Sequence, residues 1–190
     1  MAITHGWDQP HGFDAILDRD DGTVIVALDF DGVVNAARPK WPERPRKKHV
    51  RTSVGEFLIV WAPSLRDHIK ALAVQLVWLT SWGPEIHVVE DLLGLPRLPH
   101  AINTLLPSAD VPAVQHAAIA EIAATGRPWI WCDDNEAENS SGPTEHGPHL
   151  EIRPKSKHGL TPDDIERIWD FIDNPYAVRS ADAPATEARP

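Results

Sequence analysis

The feature that most constrains the fold is an apolar run that ends in two acidic residues. Residues 24–35 read VIVALDFDGVVN. Such a run is typical of a strand that is covered on both faces, as in a parallel sheet between two layers of helices. The strand ends in Asp29 and Asp31, which are one residue apart and are followed by Gly32. Two carboxylates this close together repel each other unless a cation neutralises them, so the pattern indicates a functional site.

Strand and helix patterns alternate along the rest of the chain. Apolar runs predict strands at residues 23–29, 75–82, 127–134 and 149–154, with a weaker signal near 98–105. Helical patterns predict four helices: one that begins at Pro63, one that ends near Gly94, one over residues 113–124 and one that begins after Thr161. Residues 50–61 read as a hairpin or flap interrupted near Gly55, and residues 135–148 read as a loop. This order predicts a three-layer α/β sandwich with a mostly parallel, Rossmann-like central sheet and a small cap or flap.

Length and composition set the expected organisation of the molecule. The 190 residues suit one domain at 1–180, with a flap insertion at about 36–61 and a disordered tail at 181–190. The N-terminus lacks the features of a secretion signal, and no window is apolar enough to cross a bilayer. The one cysteine, Cys132, has no partner for an internal disulfide and reads as a buried thiol. We therefore expect a cytoplasmic protein with no membrane partner.

Polar side chains follow three of the predicted buried strands. They are Asp29 and Asp31 after the first, Thr80 and Ser81 after the second, and Asp133 and Asp134 after a later one. The carboxyl ends of parallel strands meet at one edge of a sheet, where ligands of α/β proteins bind. Four carboxylates at this edge need a neutralising cation. Oxygen ligands of this kind suit Mg²⁺, which often shares its coordination shell with a phosphate.

Three of these stretches resemble motifs of the haloacid dehalogenase-like (HAD) superfamily. ALDFDGVVN resembles its first motif, VWLTSW is similar to the second, and WIWCDD resembles the two-acid form of the fourth. The resemblance covers about residues 20–175. The combination of VWLTSW, LLGLP, WCDD and GLT is similar to small HAD proteins, some of which occur within RNA-repair polypeptides.

The resemblance implies a Mg²⁺-dependent phosphohydrolase that forms an aspartyl-phosphate. Asp29 would attack the phosphorus, and Asp31 would protonate the leaving oxygen and then activate water. Mg²⁺ would be held by the Asp29 carboxylate, the backbone carbonyl of Asp31 and an acid of the fourth motif. Asp134 is favoured there as the direct ligand, with Asp133 bound directly or through water.

The resemblance also implies how the phosphoryl group would be bound. Thr80 would hydrogen-bond a phosphoryl oxygen, with Ser81 as the alternative, and Gly32 would let the backbone pass close to the phosphate. The substrate would be a nucleotide, a nucleic-acid terminal phosphate or another small phosphoester. Phosphoryl transfer to an acceptor other than water is a further possibility.

The chain departs from the superfamily at the third motif, which supplies a lysine or arginine. The corresponding stretch, residues 108–121, reads SADVPAVQHAAIAE and contains no lysine. His116 would serve only when protonated, and Arg127 lies close to the start of the next strand. Lys155 and Lys157 follow the strand at 149–154 and would have to reach the site from there. Catalytic turnover therefore depends on how this missing cation is replaced.

A basic segment follows the first motif directly. Its seven basic residues are Arg38, Lys40, Arg44, Arg46, Lys47, Lys48 and Arg51, in a chain with a formal net charge of −10. This segment either attracts phosphate-bearing substrates or is a solvated loop. Trp41 and Trp82 are placed to touch a substrate, whereas the other tryptophans of the buried strands read as core. A second functional hypothesis follows, a catalytically weak module that binds an anionic partner such as nucleic acid.

Overall fold

A computed structural model describes residues 12–72, 75–144 and 146–177. The strands are β1 (Ile25–Leu28), β2 (Arg46–Arg51), β3 (Glu56–Trp61), β4 (Leu76–Trp78), β5 (Trp129–Cys132), β6 (Ser141–Thr144) and β7 (Gly147–Ile152). The helices are α1 (Phe13–Leu17), α2 (Pro63–Leu72), α3 (His87–Leu93), α4 (Val111–Ala124) and α5 (Pro162–Asp173), with a 3-10 helix at Gly83–Ile86. The tail predicted at 181–190 lies outside the described residues.

The main sheet has five strands in the order β4-β1-β5-β7-β6. β1 pairs in parallel on both sides, with Val26 opposite Leu76 of β4 and Ile130 of β5. β7 is parallel to β5, and only the edge strand β6 is antiparallel. The mostly parallel α/β sheet predicted from the alternating pattern is therefore confirmed.

Alternate side chains of β1 enter two separate cores, which makes the molecule three layers thick. Val26 and Leu28 pack with residues of α2, α3 and α5, whereas Ile25 and Ala27 pack with residues of α1 and α4. All four side chains are buried. A strand buried on both faces explains why β1 reads as a continuous apolar run rather than as an alternating one.

The ends of two helices match their sequence signals. Thr161 caps α5 in a capping box, in which its hydroxyl accepts from the Asp164 N–H and the Asp164 carboxylate accepts from the Thr161 N–H. Gly94 ends α3 in the left-handed conformation, with a φ of 64°.

The flap is an antiparallel hairpin of β2 and β3. Pairing begins at Arg46, so the second half of the basic segment is a strand rather than a loop. β3 turns Ile59 and Trp61 into the core, while β2 is exposed along nearly its whole length. The hairpin therefore presents its basic strand to solvent.

Two predictions about the remaining segments were wrong. Residues 135–148 were predicted to be a loop, but Ser141–Thr144 form β6 against β7. An edge strand tolerates Gly142 and Pro143, whose presence makes the stretch read as a loop. Residues 98–105 form no strand among the described residues and pair only through a single bridge between Trp78 and His100. No helix among the described residues is long and apolar enough to cross a membrane.

Candidate active site

A cleft of about 430 Å³ opens at the carboxyl end of the parallel strands. Its walls come from the loops after β1, β4 and β5, from the start of α4 and from the loop before α5. Five residues singled out from the sequence as polar strand ends line it: Asp29, Asp31, Ser81, Asp133 and Asp134. The geometry of parallel strands, which end together at one sheet edge, is what brings them close.

Asp29 is half-buried and lies against Thr80. Burial raises the pKa of the Asp29 carboxyl well above its ordinary value, and the nearby Asp133 raises it further. The Phe30 N–H and the Thr80 hydroxyl both donate to this carboxyl, which opposes the rise in pKa. Thr80 itself is only 1% exposed. Ser81, rather than Thr80, is the residue of this pair that lines the cleft.

Both carboxylate oxygens of Asp133 accept hydrogen bonds. One oxygen accepts the backbone N–H groups of Asn135 and Glu136, each at 2.8 Å. The other accepts from the Gln115 side-chain amide at 2.9 Å. Burial raises the pKa of the Asp133 carboxyl, and the two backbone donors oppose that rise. The donors therefore fix the orientation of a carboxylate that is only 1% exposed.

Three carboxylates form a group that could hold a metal ion. One ligand oxygen from each of Asp29, Asp133 and Asp134 lies within 4.8 Å of the others. Hard carboxylate oxygens in a cleft open to water are the donor set that Mg²⁺ prefers, so the residues fit this ion. The Asp31 carboxylate is not part of the group.

Gly32 leaves the space that the Asp134 carboxylate needs to lie close to Asp29 and Asp133. Its φ of 74° lies in the left-handed region, and a Cβ built on it would collide with the Asp134 carboxylate. The Asp134 carboxylate also accepts from the Ser156 hydroxyl in the loop before α5. Any side chain at position 32 would therefore displace Asp134 from the cluster.

The Asp31 carboxylate is oriented by two neutral donors. Asn35 donates to one oxygen at 2.6 Å, and the Trp82 indole N–H donates to the other at 2.8 Å. The Asn35 side-chain oxygen in turn accepts the Val60 N–H of the flap at 2.9 Å. Trp82, one of the two tryptophans expected to touch a substrate, contacts Asp31 in the cleft through this indole N–H. Trp41, paired with it in the prediction, donates to the Leu160 carbonyl at 2.9 Å, which ties the flap segment to the loop before α5.

Two of the four predicted replacements for the missing lysine, Arg127 and His116, do not line the cleft. Arg127 lies at the opposite, amino-terminal edge of the sheet, where it donates to the carbonyls of Ile16, Arg19 and Thr23. His116 lies 3.1 Å from a Glu136 carboxylate oxygen, with its ring against Trp131. Neither residue is among the residues that line the cleft.

The two lysines of the loop before α5 flank a cleft residue. Ser156, between Lys155 and Lys157, lines the cleft, but neither lysine does. The Lys157 carbonyl accepts the Arg38 N–H at 2.8 Å, so the basic segment begins beside this loop. Among the described residues that line the cleft, none is a lysine, arginine or histidine.

Sequence reasoning missed Gln115, which contacts the cluster from α4. It is 4% exposed, and its amide nitrogen donates to both Asp133 and the Leu79 carbonyl. The available signal was helical spacing, because Gln115 shares the buried stripe of α4 with Val111 and Ile119. A polar residue on a buried helix face is informative, because it needs a buried partner.

A comparison with protein-family models gives one match that spans this cleft. The model, described as the HAD domain in Swiss Army Knife RNA repair proteins, matches residues 25–165. This range includes β1, the flap and the strands that end in the acidic residues, so the match confirms the resemblance drawn from the three motifs. Comparisons with curated proteins and with solved structures gave no significant match.

Proposed function

Since the chain belongs to the family of HAD domains in Swiss Army Knife RNA repair proteins, we propose that this HAD-type hydrolase is a Mg²⁺-dependent phosphatase acting on phosphomonoesters. The observation that supports this most directly is the convergence of Asp29, Asp133 and Asp134 in one cleft with Asp31. Asp29, Asp133 and Asp134 would hold the ion. When bound, the ion offsets the negative charge of the carboxylates and stabilises charge on the phosphoryl group.

The proposed reaction has two steps at the phosphorus atom. In the first, an Asp29 carboxylate oxygen forms a bond to phosphorus while the bond to the leaving oxygen breaks, and Asp31 gives that oxygen a proton. In the second, a water oxygen attacks the phosphorus of the aspartyl-phosphate, and Asp31 takes the proton of the water. Inorganic phosphate and the free Asp29 carboxylate result. Asn35 and Trp82 hold Asp31 in place for both proton transfers.

The other residues of the cleft bind and admit the substrate in this proposal. Ser81 lines the cleft and offers a hydroxyl to a phosphoryl oxygen, while Thr80 holds Asp29. Gly32 leaves room for the phosphate beside the backbone. Lys155 and Lys157 flank the cleft-lining Ser156 and would attract the rest of the substrate. The domain at 1–180, with its flap at about 36–61, would act as one unit that leaves the cleft open to large substrates.

We favour a nucleic-acid terminal phosphate as the substrate over a free nucleotide or a small phosphoester. Residues 38–51 carry seven basic side chains and one acidic one. None of those seven forms an ion pair with the residues that the structure describes. An unpaired basic segment, whose first residue Arg38 contacts the loop that contributes Ser156 to the cleft, suits a polyanion that extends beyond its terminal phosphate.

The same basic segment favours a second candidate function. If the chain lacks turnover, the exposed basic segment and the acidic metal cluster would still make it a binding module for an anionic partner. Binding of nucleic acid that is independent of Asp29 would then be the whole activity.

Phosphate release is the experiment that separates the two functions. The panel contains nucleotides, phosphosugars and 3′- and 5′-phosphorylated oligonucleotides, each tested with and without Mg²⁺. We expect Mg²⁺-dependent release by the wild type and a loss of at least about a thousandfold in Asp29→Asn, by comparison with other enzyme nucleophiles. Asp170→Asn, an exposed change of the same type on α5, is the matched control and should keep full activity.

Two outcomes would contradict the proposed phosphatase. Equal release by Asp29→Asn and the wild type would exclude the aspartyl-phosphate. No release from any substrate, by folded protein that binds Mg²⁺, would favour the binding module. After acid quenching of a reaction with ³²P-labelled substrate, hydroxylamine-sensitive label on the wild type but not on Asp29→Asn would identify the covalent intermediate.

A further inference from the structure

Of the residues that the structure describes, those that line the cleft carry acidic groups without basic groups among them. Five acidic residues line the cleft: Asp29, Asp31, Asp133, Asp134 and Glu136. Within the described part of the chain, no basic side chain lines it. The helix that leads into the fourth motif, α4, is where the related superfamily would place a cation. From α4, Asp133 is contacted instead by a neutral residue, Gln115, while His116 contacts Glu136 at the rim.

Gln115 makes a fully directed contact. Its amide nitrogen lies 2.9 Å from an Asp133 carboxylate oxygen and 3.0 Å from the Leu79 carbonyl. An amide NH₂ has two hydrogens, so both are used. Leu79 directly follows β4 and precedes Thr80, so Gln115 links the fourth-motif acid to the loop of the second motif. This burial and double contact fix the amide in one orientation.

The same contacts determine which part of Asp133 stays free. The oxygen that accepts from Asn135 and Glu136 has both of its lone pairs engaged. The oxygen that accepts from Gln115 has one lone pair left. Asp133 therefore has one lone pair free to bind a metal ion together with Asp29 and Asp134.

We infer that Gln115 is the positioning residue of Asp133 and that its neutrality leaves the charge of the acidic cluster to be offset by the bound divalent cation. The inference rests on the proposed function only for the identity of that cation as Mg²⁺. A lysine at this position would still donate to Asp133, but it would place a positive charge a few ångströms from the cation. A neutral donor orients the carboxylate without this repulsion.

Mg²⁺ binding to the full chain without substrate tests the inference. Isothermal titration calorimetry gives the Kd for Mg²⁺, and thermal unfolding gives the Mg²⁺-induced rise in Tm. Both are measured for the wild type, Gln115→Lys and Gln115→Met. We expect Gln115→Lys to raise the Kd for Mg²⁺ by about tenfold or more, given the strength of charge repulsion at this range. Gln115→Met keeps the size and neutrality of the side chain but loses the donor, and should raise the Kd severalfold. Ala120→Lys, on the exposed face of α4, is the matched charge control and should leave the Kd within about twofold.

The two variants test separate parts of the inference. A Gln115→Lys protein that binds Mg²⁺ as tightly as the wild type would overturn the role of neutrality. A Gln115→Met protein with wild-type affinity would overturn the positioning of Asp133. If Gln115→Lys does not fold, Gln115→Met still decides whether the amide positions Asp133. A wild type that binds Mg²⁺ but releases no phosphate would refute the phosphatase and leave this inference standing.

Discussion

Asp29 lies half-buried beside Asp133, and burial raises the pKa of both carboxyls. A folded state with raised carboxyl pKa values binds protons more tightly than the unfolded chain, whose carboxyls titrate near pH 4. The free energy of unfolding therefore falls as the pH rises from about 4 through the raised pKa values of the folded state. Without a cation, these two residues destabilise the fold at neutral pH.

This residue-scale argument predicts that Asp29→Asn stabilises the metal-free protein. Asparagine can still accept from the Phe30 N–H and the Thr80 hydroxyl, but it carries no charge to bury. We expect its Tm in EDTA at pH 8 to exceed that of the wild type by several degrees, at roughly 2–4 °C for each kcal/mol in a chain of this size. The gain should shrink as the pH falls toward 4.5, because the raised pKa favours protonation of the wild-type carboxyl in the folded state.

Thermal unfolding between pH 4.5 and 8 measures this difference. Asp170→Asn provides the control, because it removes an exposed carboxylate and should give no gain that grows with pH. Mg²⁺ should stabilise the wild type at pH 8 more than it stabilises Asp29→Asn. An Asp29→Asn protein that is less stable than the wild type at every pH would contradict the argument.

At the scale of elements, the flap and the Asp31 loop share two side chains. Asn35 accepts from the flap residue Val60 and donates to Asp31. Trp82 packs against Phe57 of the flap, with ring centroids 5.2 Å apart, and also donates to Asp31. The Ser53 hydroxyl at the flap turn donates to Glu85 of the 3-10 helix at 2.6 Å. The position of the flap is therefore linked to the orientation of the proposed general acid.

Trp82→Phe tests this link. Phenylalanine keeps an aromatic ring against Phe57 but loses the N–H that donates to Asp31. We expect kcat for phosphate release to fall about tenfold while KM changes less than about threefold, because the interaction orients the proton donor rather than the substrate. Steady-state kinetics on the best substrate of the panel measure both constants.

The control for Trp82→Phe is Trp41→Phe. It removes a comparable indole hydrogen bond, to the Leu160 carbonyl, outside the cleft. Each variant should lose about 1 kcal/mol of stability, the usual contribution of one such bond. Equal losses of kcat in the two variants would show that stability, and not the orientation of Asp31, sets the rate.

The elements also show where sequence reasoning succeeds. β1 and β5 are buried on both faces, so their apolar runs and the acids that follow them are readable without a structure. β6 was missed because an edge strand contacts one neighbour only and tolerates glycine and proline. Gln115 is not readable from the sequence motifs, because the superfamily motif predicts a cation at this helix, whereas a neutral amide makes the contact with Asp133. Such substitutions depend on three-dimensional contacts that spacing alone does not specify.

At the scale of the whole molecule, charge is distributed unevenly. The chain has a formal net charge of −10, yet seven basic residues lie between positions 38 and 51. The one acidic residue of that segment, Glu43, accepts the Ser64 N–H near the start of α2 at 2.9 Å. The Arg38 N–H donates to the Lys157 carbonyl, which places the start of the segment beside the loop that contributes Ser156 to the cleft. The sequence shows the concentration of basic charge, and the fold shows that its first residue, Arg38, contacts the loop next to the cleft.

This arrangement predicts salt-dependent binding of single-stranded oligonucleotides through the exposed strand β2. The double variant Lys47→Gln, Lys48→Gln is compared with Lys70→Gln, Arg167→Gln, which makes the same change of net charge on α2 and α5. All proteins also carry Asp29→Asn, so that no substrate is consumed. We expect the β2 variant to bind more weakly and its slope of log K against log salt to flatten by up to about 1.4, two contacts at about 0.7 each.

Fluorescence anisotropy with a labelled 5′-phosphorylated RNA, at several salt concentrations, gives both the affinity and the slope. If the α2 and α5 variant weakens binding as much as the β2 variant, net charge alone governs association and β2 is not the contact surface. If only the β2 variant flattens the slope, the strand itself meets the phosphates. Removing the 5′-phosphate from the RNA then separates the two surfaces, because a terminal phosphate held in the cleft contributes affinity that the β2 variant retains.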